Sequence, residues 1–482
     1  MADPLDPALL IMPALRAGAG GTFAHEAGSI ADALALGVGG FIIFGGNAES
    51  VRRLTSDLLR RAERPLLLAS DLERGAGQQF EGLTEFPPPL ALAAMDDPAV
   101  ARWAGSVTAQ EARAVGINWV FAPVADLDLL PDNPIVQTRS FGRDPQRVAT
   151  LVRNWVEGCQ GAGALACAKH YPGHGRTTAD SHITLPAVDA SRDELTSEDL
   201  VPFAVAADCG VAAMMTAHVA FPALDPSGLP ATLSTRIMGE LRTTLGFQGL
   251  VVTDALIMDG ALVGRRESDA AVEAVQSGVD LLLYPKDPRR VRDALVSAAE
   301  SGALSRERIA EAIGRYERAL AAATRSTPPV RRGPYESADG LADALLRQGM
   351  LRGDPPVLTG PLDLVIVDDD LGGPYPPGPS DHVGRALGSE LASRYTGGSR
   401  IVLVVSEPRA WKGRAGLGEP AREALASYAS DAELIVLFGH PRLADELRSP
   451  APVLLAWHRQ RLMQEAVARW LRSRLSPSPP RS

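Results

Sequence analysis

The chain has 482 residues, 45% of them apolar and 22% charged, with a formal net charge of −10. That length exceeds one ordinary core and predicts two or three domains, and the acidic balance argues against general nucleic-acid binding. No apolar run reaches the roughly 18 residues of a membrane helix. Cys159, Cys167 and Cys209 form neither a CxxC pair nor an even disulfide framework. With no basic, apolar leader in MADPLDPALLIMPALRAG, a cytoplasmic protein is expected.

Short apolar runs that end in polar or glycine-rich turns recur along the first two-thirds: LLIMPAL (9–15), GFIIFG (40–45), PLLLASD (65–71) and NWVFAPVAD (118–126). ALACAKH (164–170), AAMMTAHV (212–219), GLVVTDA (249–255) and VDLLLYP (279–285) follow, making eight. Amphipathic segments of helical length separate them, among them 98–115, 145–160, 191–209, 268–277 and 287–301. This alternation predicts parallel strands buried on both faces, and eight units favour an α/β fold of the (β/α)8 TIM-barrel type. An open doubly wound sheet is the alternative, weakened by the lack of GxGxxG after an early strand.

Beyond a helix near 305–323, TRSTPPVRRGP reads as a linker. A helical segment at 336–350 then leads into the runs LDLVIV (362–367), RIVLVVS (400–406), ELIVLFG (433–439) and PVLLAW (452–457). Helices are expected near 418–429 and 461–474. The expected division is a catalytic barrel at 1–323, a linker at 324–335, a smaller α/β sandwich domain at 336–475 and a disordered tail at 476–482.

Asp71, Asp126, Lys169 with His170, His218 and Asp254 sit at or just past the ends of different runs. In a barrel those ends converge on the face where active sites are built. The stretch KHYPGHGRTTADSH (169–182) holds three of the eight histidines. His170, His174 and His182 could ligate zinc from a helix, but Pro172, Gly173 and Gly175 make a helix improbable. Asp180 two residues before His182 suits proton transfer, because a carboxylate fixes the imidazole tautomer and raises its basicity. A structural plug bonded to backbone is the bland alternative.

Asp254 interrupts an apolar strand end, where an unpaired buried carboxylate is costly, so it should face a polar pocket. Asp259 is expected to be solvated or to cap a helix. In ASDLERGAGQQF (69–80), Asp71 could accept from sugar hydroxyls, whereas Glu73 and Arg74 could bind ligand or pair with each other. Arg139 and Arg143 lie in a long loop at 123–145 and could grip ligand oxygens or brace the loop. The acidic run Asp368-Asp369-Asp370, with His382 and His440, is expected to be structural.

KHYPGHGRTTADSHITLP resembles the KHFPGHGxTxxDSHxxLP signature of the β-N-acetylglucosaminidases of glycoside hydrolase family 3. VVTDALIM resembles that family's nucleophile segment, SDLERGAG its DQEGGR-type loop and NPIVQTRSFGRDP its N-P-x-I-x-x-R-S-F-G segment. The resemblance spans about residues 5–320 and, more weakly, 336–475. It implies that Asp254 is the nucleophile, His182 the general acid/base and Asp180 its partner. Asp71, Arg139, Lys169 and His170 match sugar-binding positions; His218 and Arg74 are further candidates. The implied activity is retaining, exo-acting hydrolysis of terminal β-linked N-acetylhexosamine, with peptidoglycan fragments as substrate and no cofactor or metal. Imidazole titrates near working pH without the shift that a carboxylate acid needs. Two departures bear on the sugar: Gln79 and Ala76 stand where the family carries arginines, and Arg74 is displaced by two positions. The same machinery would serve a β-glucosidase or a glycoside phosphorylase, and a non-catalytic sugar-binding protein is the third reading.

Overall fold

The computed structural model describes residues 5–178, 185–262, 264–324, 333–371, 378–392 and 398–476. The expected tail beyond Ser476 and the core of the expected linker lie outside them. Contacts divide the chain into two compact units. The first comprises residues 1–85, 97–130 and 140–333, and the second 86–96, 131–139 and 334–482. Two excursions from the N-terminal sequence, 86–96 and 131–139, thus belong with the C-terminal unit.

In the first unit the apolar runs become β1 (Ile11–Met12), β2 (Ala14–Arg16), β3 (Gly40–Phe44), β4 (Leu67–Ser70) and β5 (Trp119–Val120). β6 (Leu165–Tyr171), β7 (Ala213–Thr216), β8 (Leu250–Val252) and β9 (Leu282–Leu283) complete the set. Among the described residues β2 to β8 form a curled, seven-stranded parallel sheet in sequence order. Ile11 and Met12 pair with Leu282 and Leu283, and Val252 bridges Leu281, which closes the ring. The barrel expected from the alternation is therefore present.

Proline reshapes two of its runs. LLIMPAL divides at Pro13, which has no N–H to donate. Met12 faces β9, whereas the Pro13 carbonyl accepts from Ile42 N at 2.9 Å. NWVFAPVAD keeps regular pairing only at Trp119–Val120, and Pro123 follows. Ala125 N still donates to the Lys169 carbonyl at 2.7 Å, so the chain stays beside β6 and delivers Asp126 there.

Helices begin where capping chemistry predicts. Asp97, Asp144 and Asp287, each followed by proline, accept from first-turn amides of the helices Pro98–Ala114, Pro145–Gly161 and Pro288–Glu300. Ser305 caps Arg306–Ala323 in the same way. At the strand-entry end of the barrel, the fully buried Asp280 holds Arg242, Arg308 and Arg315 at 2.7, 2.6 and 3.0 Å. It is a structural acid, in contrast to those at the opposite end.

The second unit carries a sheet of β10 (Met350–Arg352), β11 (Asp363–Asp368), β12 (Arg400–Ser406), β13 (Leu434–Gly439) and β14 (Val453–Leu455). Its order is β10-β14-β13-β12-β11, with β10 antiparallel and the remainder parallel. The buried Lys412 bonds Asp369 and Asp370 at 2.9 and 2.7 Å, so those acids belong to an internal ion network. His440 accepts from Arg442 N at 3.1 Å as a helix cap.

Candidate active site

β6 ends in a polar cluster. Lys169 is 2% exposed, and its ammonium lies 2.6 Å from Asp71 Oδ1 and 2.8 Å from Glu73 Oε1. Asp71 follows β4, and its side chain is 31% exposed, which makes it the solvent-open end of this trio. Its Oδ2 has no protein partner among the described residues. A carboxylate pinned at one oxygen and open at the other is suited to accept from a sugar hydroxyl.

Asp126 is the hub of the neighbouring set. Fully buried, it accepts from His174 N at 2.7 Å and from His170 N at 3.1 Å, and it lies 2.7 Å from His170 Nδ1. Burial alone would push its carboxyl up, but the adjoining His170 and His174 more than offset this and hold it below the ordinary carboxylate range. A carboxylate at Nδ1 fixes the proton on that nitrogen. Nε2 of His170 then faces Asp254, 4.0 Å from Oδ2.

The loop after β6 turns tightly back over this hub. A Cβ at Gly175 would stand 2.0 Å from the Leu127 carbonyl oxygen, so only glycine fits there. His174 Nδ1 lies 2.7 Å from the Thr177 hydroxyl, and burial pushes this imidazole down to about 4, leaving it neutral at pH 7. Arg176 anchors the loop through Nε to Asp199 Oδ2 at 2.7 Å and a second ion pair to Glu198. Burial raises the Asp199 carboxyl to about 6 against the pull of Arg176. Among the described residues no trio of His, Cys, Asp or Glu side chains is placed to hold a metal ion.

Asp254 follows β8, its side chain 25% exposed, with Oδ1 accepting from Ala255 N at 2.7 Å. His218, at the end of β7, is buried behind it. Its Nε2 lies 3.2 Å from the Ala255 carbonyl oxygen, an acceptor only, so Nε2 carries the proton. Nδ1 then accepts from the Thr232 hydroxyl at 2.8 Å. Burial also lowers the His218 pKa, in keeping with a neutral ring. Nε2 thus braces the backbone beside Asp254, and Nδ1 anchors the ring to Thr232.

Arg74 and Gln79 are engaged elsewhere. Glu73 joins Lys169, and Arg74 joins Glu85. Gln79, where an arginine was expected, accepts from Gly45 N at 3.2 Å through its amide oxygen. Arg139 belongs to the second unit, where Nη1 donates to the Ile135 carbonyl at 3.3 Å. Asp180 and His182 lie outside the described residues. Sequence reasoning placed Asp126 at a strand end without giving it a role, and it passed over Thr232, whose sequence context carries no signal.

Residues 20–319 match the glycosyl hydrolase family 3 N-terminal domain. A beta-hexosaminidase of Alkalilimnicola ehrlichii is 39% identical over 289 residues, 58% of this chain and 82% of that one. A beta-N-acetylglucosaminidase/beta-glucosidase of Cellulomonas fimi is 32% identical over 64% of this chain and 56% of its own length. Among solved structures, a glycoside hydrolase family 3 beta-N-acetylglucosaminidase from Paenibacillus aligns with a TM-score of 0.83 and 28% identity. That alignment covers 99% of this chain and 97% of the other. A beta-glucoside phosphorylase shares the fold, with a TM-score of 0.85 at 22% identity over 99% of this chain and 93% of the other. With its domain match spanning most of the barrel and a polar cluster at the strand ends, the chain belongs to glycosyl hydrolase family 3 and is a glycoside hydrolase acting on O-glycosyl bonds.

Proposed function

We propose that this hydrolase is a retaining, exo-acting β-N-acetylglucosaminidase that removes terminal β-linked N-acetylhexosamine, with peptidoglycan fragments as its substrates. The observation that carries the reading is Asp254, a part-exposed carboxylate at a barrel strand end with one oxygen fixed by Ala255 N and the other 4.0 Å from His170. Further support comes from relatives called beta-hexosaminidase at 35–40% identity. A cytoplasmic setting is supported by the three cysteines, all free thiols.

Asp254 Oδ2 attacks the anomeric carbon while the bond to the leaving oxygen breaks. His182, protonated and oriented by Asp180, gives that oxygen its proton. The glycosyl ester on Asp254 is then opened by water, whose proton passes to the now neutral His182, and Asp254 departs as carboxylate. One water is consumed, and two inversions at the same carbon give net retention. The roles of His182 and Asp180 rest on their match to the family signature. Asp71 and Lys169 hold hydroxyls of the sugar under attack, Arg139 is a further ligand by the same match, and Arg74, displaced by two positions from the family's arginine, is a ligand that compensates for Gln79. His218 acts from behind Asp254.

The test is p-nitrophenol release from the N-acetyl-β-glucosaminide. Asp254→Ala should lower turnover at least about 100-fold, because the covalent step needs that carboxylate; undiminished turnover would defeat the assignment. Gln79, committed to Gly45, favours one further reading, that the sugar differs at carbon 2. Aryl glycosides varied at that carbon, assayed with and without phosphate, separate N-acetylglucosaminidase, β-glucosidase and phosphorylase.

A further inference from the structure

The excursion that leaves β6 toward Asp180 and His182 is closed at its neck by one guanidinium. Arg176 donates through Nε to Asp199 Oδ2 at 2.7 Å and through Nη2 to Glu198, carboxylates 23 and 22 residues further along the chain. Asp180 and His182 lie between, four and six residues past Arg176. The family signature leaves the Arg176 position open, so a role for this clamp does not come from the resemblance.

Both sides of the neck are shaped for this contact. Gly173 adopts φ 139°, and a Cβ there would stand 3.3 Å from Asp199 Cβ, so glycine lets the backbone close on that carboxylate. On the far side, Ser191 and Glu194 form a capping box. The chain then widens into a π-helical turn, Leu195–Asp199, where Leu200 N donates to the Leu195 carbonyl at 2.9 Å. Successive residues of an ordinary helix diverge by about 100°, yet Glu198 and Asp199 here reach one guanidinium. Val188 N donates to the Ala220 carbonyl and Ala220 N to the Pro186 carbonyl, both at 2.9 Å, which fixes the returning chain beyond β7. Apolar packing holds the region together: Leu195, Leu200 and Phe203 are buried, and Phe203 meets Tyr171 edge-on with ring centres 5.6 Å apart. An ion pair to a buried carboxylate adds little to such stability, but its fork fixes position.

We propose that Arg176, clamped by Glu198 and Asp199, is a positioning residue for proton donation to the leaving oxygen. It rests on the reading of His182 as the acid/base and adds what sets that donor's loop in place. Two substrates separate proton donation from folding. 2,4-Dinitrophenolate departs from its N-acetyl-β-glucosaminide without a proton, whereas the second sugar of N,N′-diacetylchitobiose needs one. General acid catalysis contributes about 10²–10⁴-fold, so in Arg176→Ala the ratio of kcat/KM values, dinitrophenyl over disaccharide, should rise at least about tenfold. In Arg176→Lys, which keeps the charge but loses the fork, it should rise about threefold. Asp199→Asn should raise it as well, and adding Asp199→Asn to Arg176→Ala should raise it no further, because the two act as one pair. Circular dichroism and thermal melting check that the variants fold, and Asp199→Asn, close in size to the native side chain, decides the matter if Arg176→Ala does not.

An unchanged ratio in a folded variant, including an equal loss on both substrates, overturns the proposal. Effects that multiply in the double variant would mean that Arg176 and Asp199 act separately, which also overturns it. His182→Ala tests the underlying reading on the same two substrates, where the ratio should rise at least about 100-fold. If it does not, the acid/base role of His182 falls. A rise in Arg176→Ala would then still assign the clamp to proton donation from this loop, and no rise would overturn it.

Discussion

Asp126→Asn keeps the shape of the hub and removes its charge. Oδ1 of the asparagine can still accept from His174 N and His170 N, now at 2.7 and 3.1 Å. The amide NH2 then faces His170 Nδ1, 2.7 Å from the oxygen that it replaces, where two donors oppose each other. The ring must move its proton to Nε2, on the side of Asp254, or rotate away. A hydrogen bond to a charged group is worth about 1.5–3 kcal/mol. If all of it is lost in the transition state, kcat/KM falls about 10- to 150-fold at 1.36 kcal/mol per tenfold. The assay is aryl glycoside hydrolysis at pH 7, with circular dichroism and a melting curve to show a folded variant. A folded Asp126→Asn within threefold of wild-type kcat/KM would refute the claim that Asp126 sets the state of His170.

Lys169→Met should leave Asp71 and Glu73 facing each other without the ammonium that joins them. Breaking a buried pair of this kind costs about 3–5 kcal/mol, seen as a lower melting temperature, with kcat/KM down at least about 100-fold. Adding Glu73→Gln should restore part of the stability but not the activity; recovery of both would make Lys169 merely structural. The acid limb of stability offers another test through His174. Its folded pKa of about 4 lies below the 6.5 of the unfolded chain, so the unfolded chain binds more protons between them. Stability is then full above 6.5 and is lost as pH falls to about 4, by about 1.4 kcal/mol per unit. Asp199, raised to about 6 from 3.8, has the opposite sign, losing its contribution as pH rises through that window. Denaturant midpoints between pH 4 and 7 should therefore fall less steeply in His174→Gln than in the wild type, and parallel curves would contradict a buried neutral ring.

The barrel was legible in the sequence because parallel strands buried on both faces leave continuous apolar runs, and every one of the eight runs lies in the ring. Where proline interrupts, the runs hid their local geometry: LLIMPAL serves two neighbours, and only coordinates reveal the change at Pro13. Helices such as Ala27–Leu36 and Ala48–Arg61 went unread, the first because it is rich in alanine with a weak apolar stripe. β10 runs antiparallel, which three residues, two of them exposed, do not signal. Residue type found Lys169, His170 and Asp254, since ionisable groups ending apolar strands stand out. It could not find partners distant in sequence: Asp126 is 44 residues from His170, Glu73 meets Lys169 and Arg74 meets Glu85. The membership of 131–139 in the second unit, which carries Arg139 there, likewise depends on tertiary contact.

The account turns on a covalent bond between sugar and Asp254. Incubation with 5-fluoro-N-acetyl-β-glucosaminyl fluoride, which slows both steps but retains a good leaving group, should trap the ester for mass spectrometry. The account predicts the sugar on the peptide containing Asp254, with loss of activity in step with labelling and recovery as the ester hydrolyses. Label on any other residue, or rapid turnover of the probe by Asp254→Ala, would contradict it.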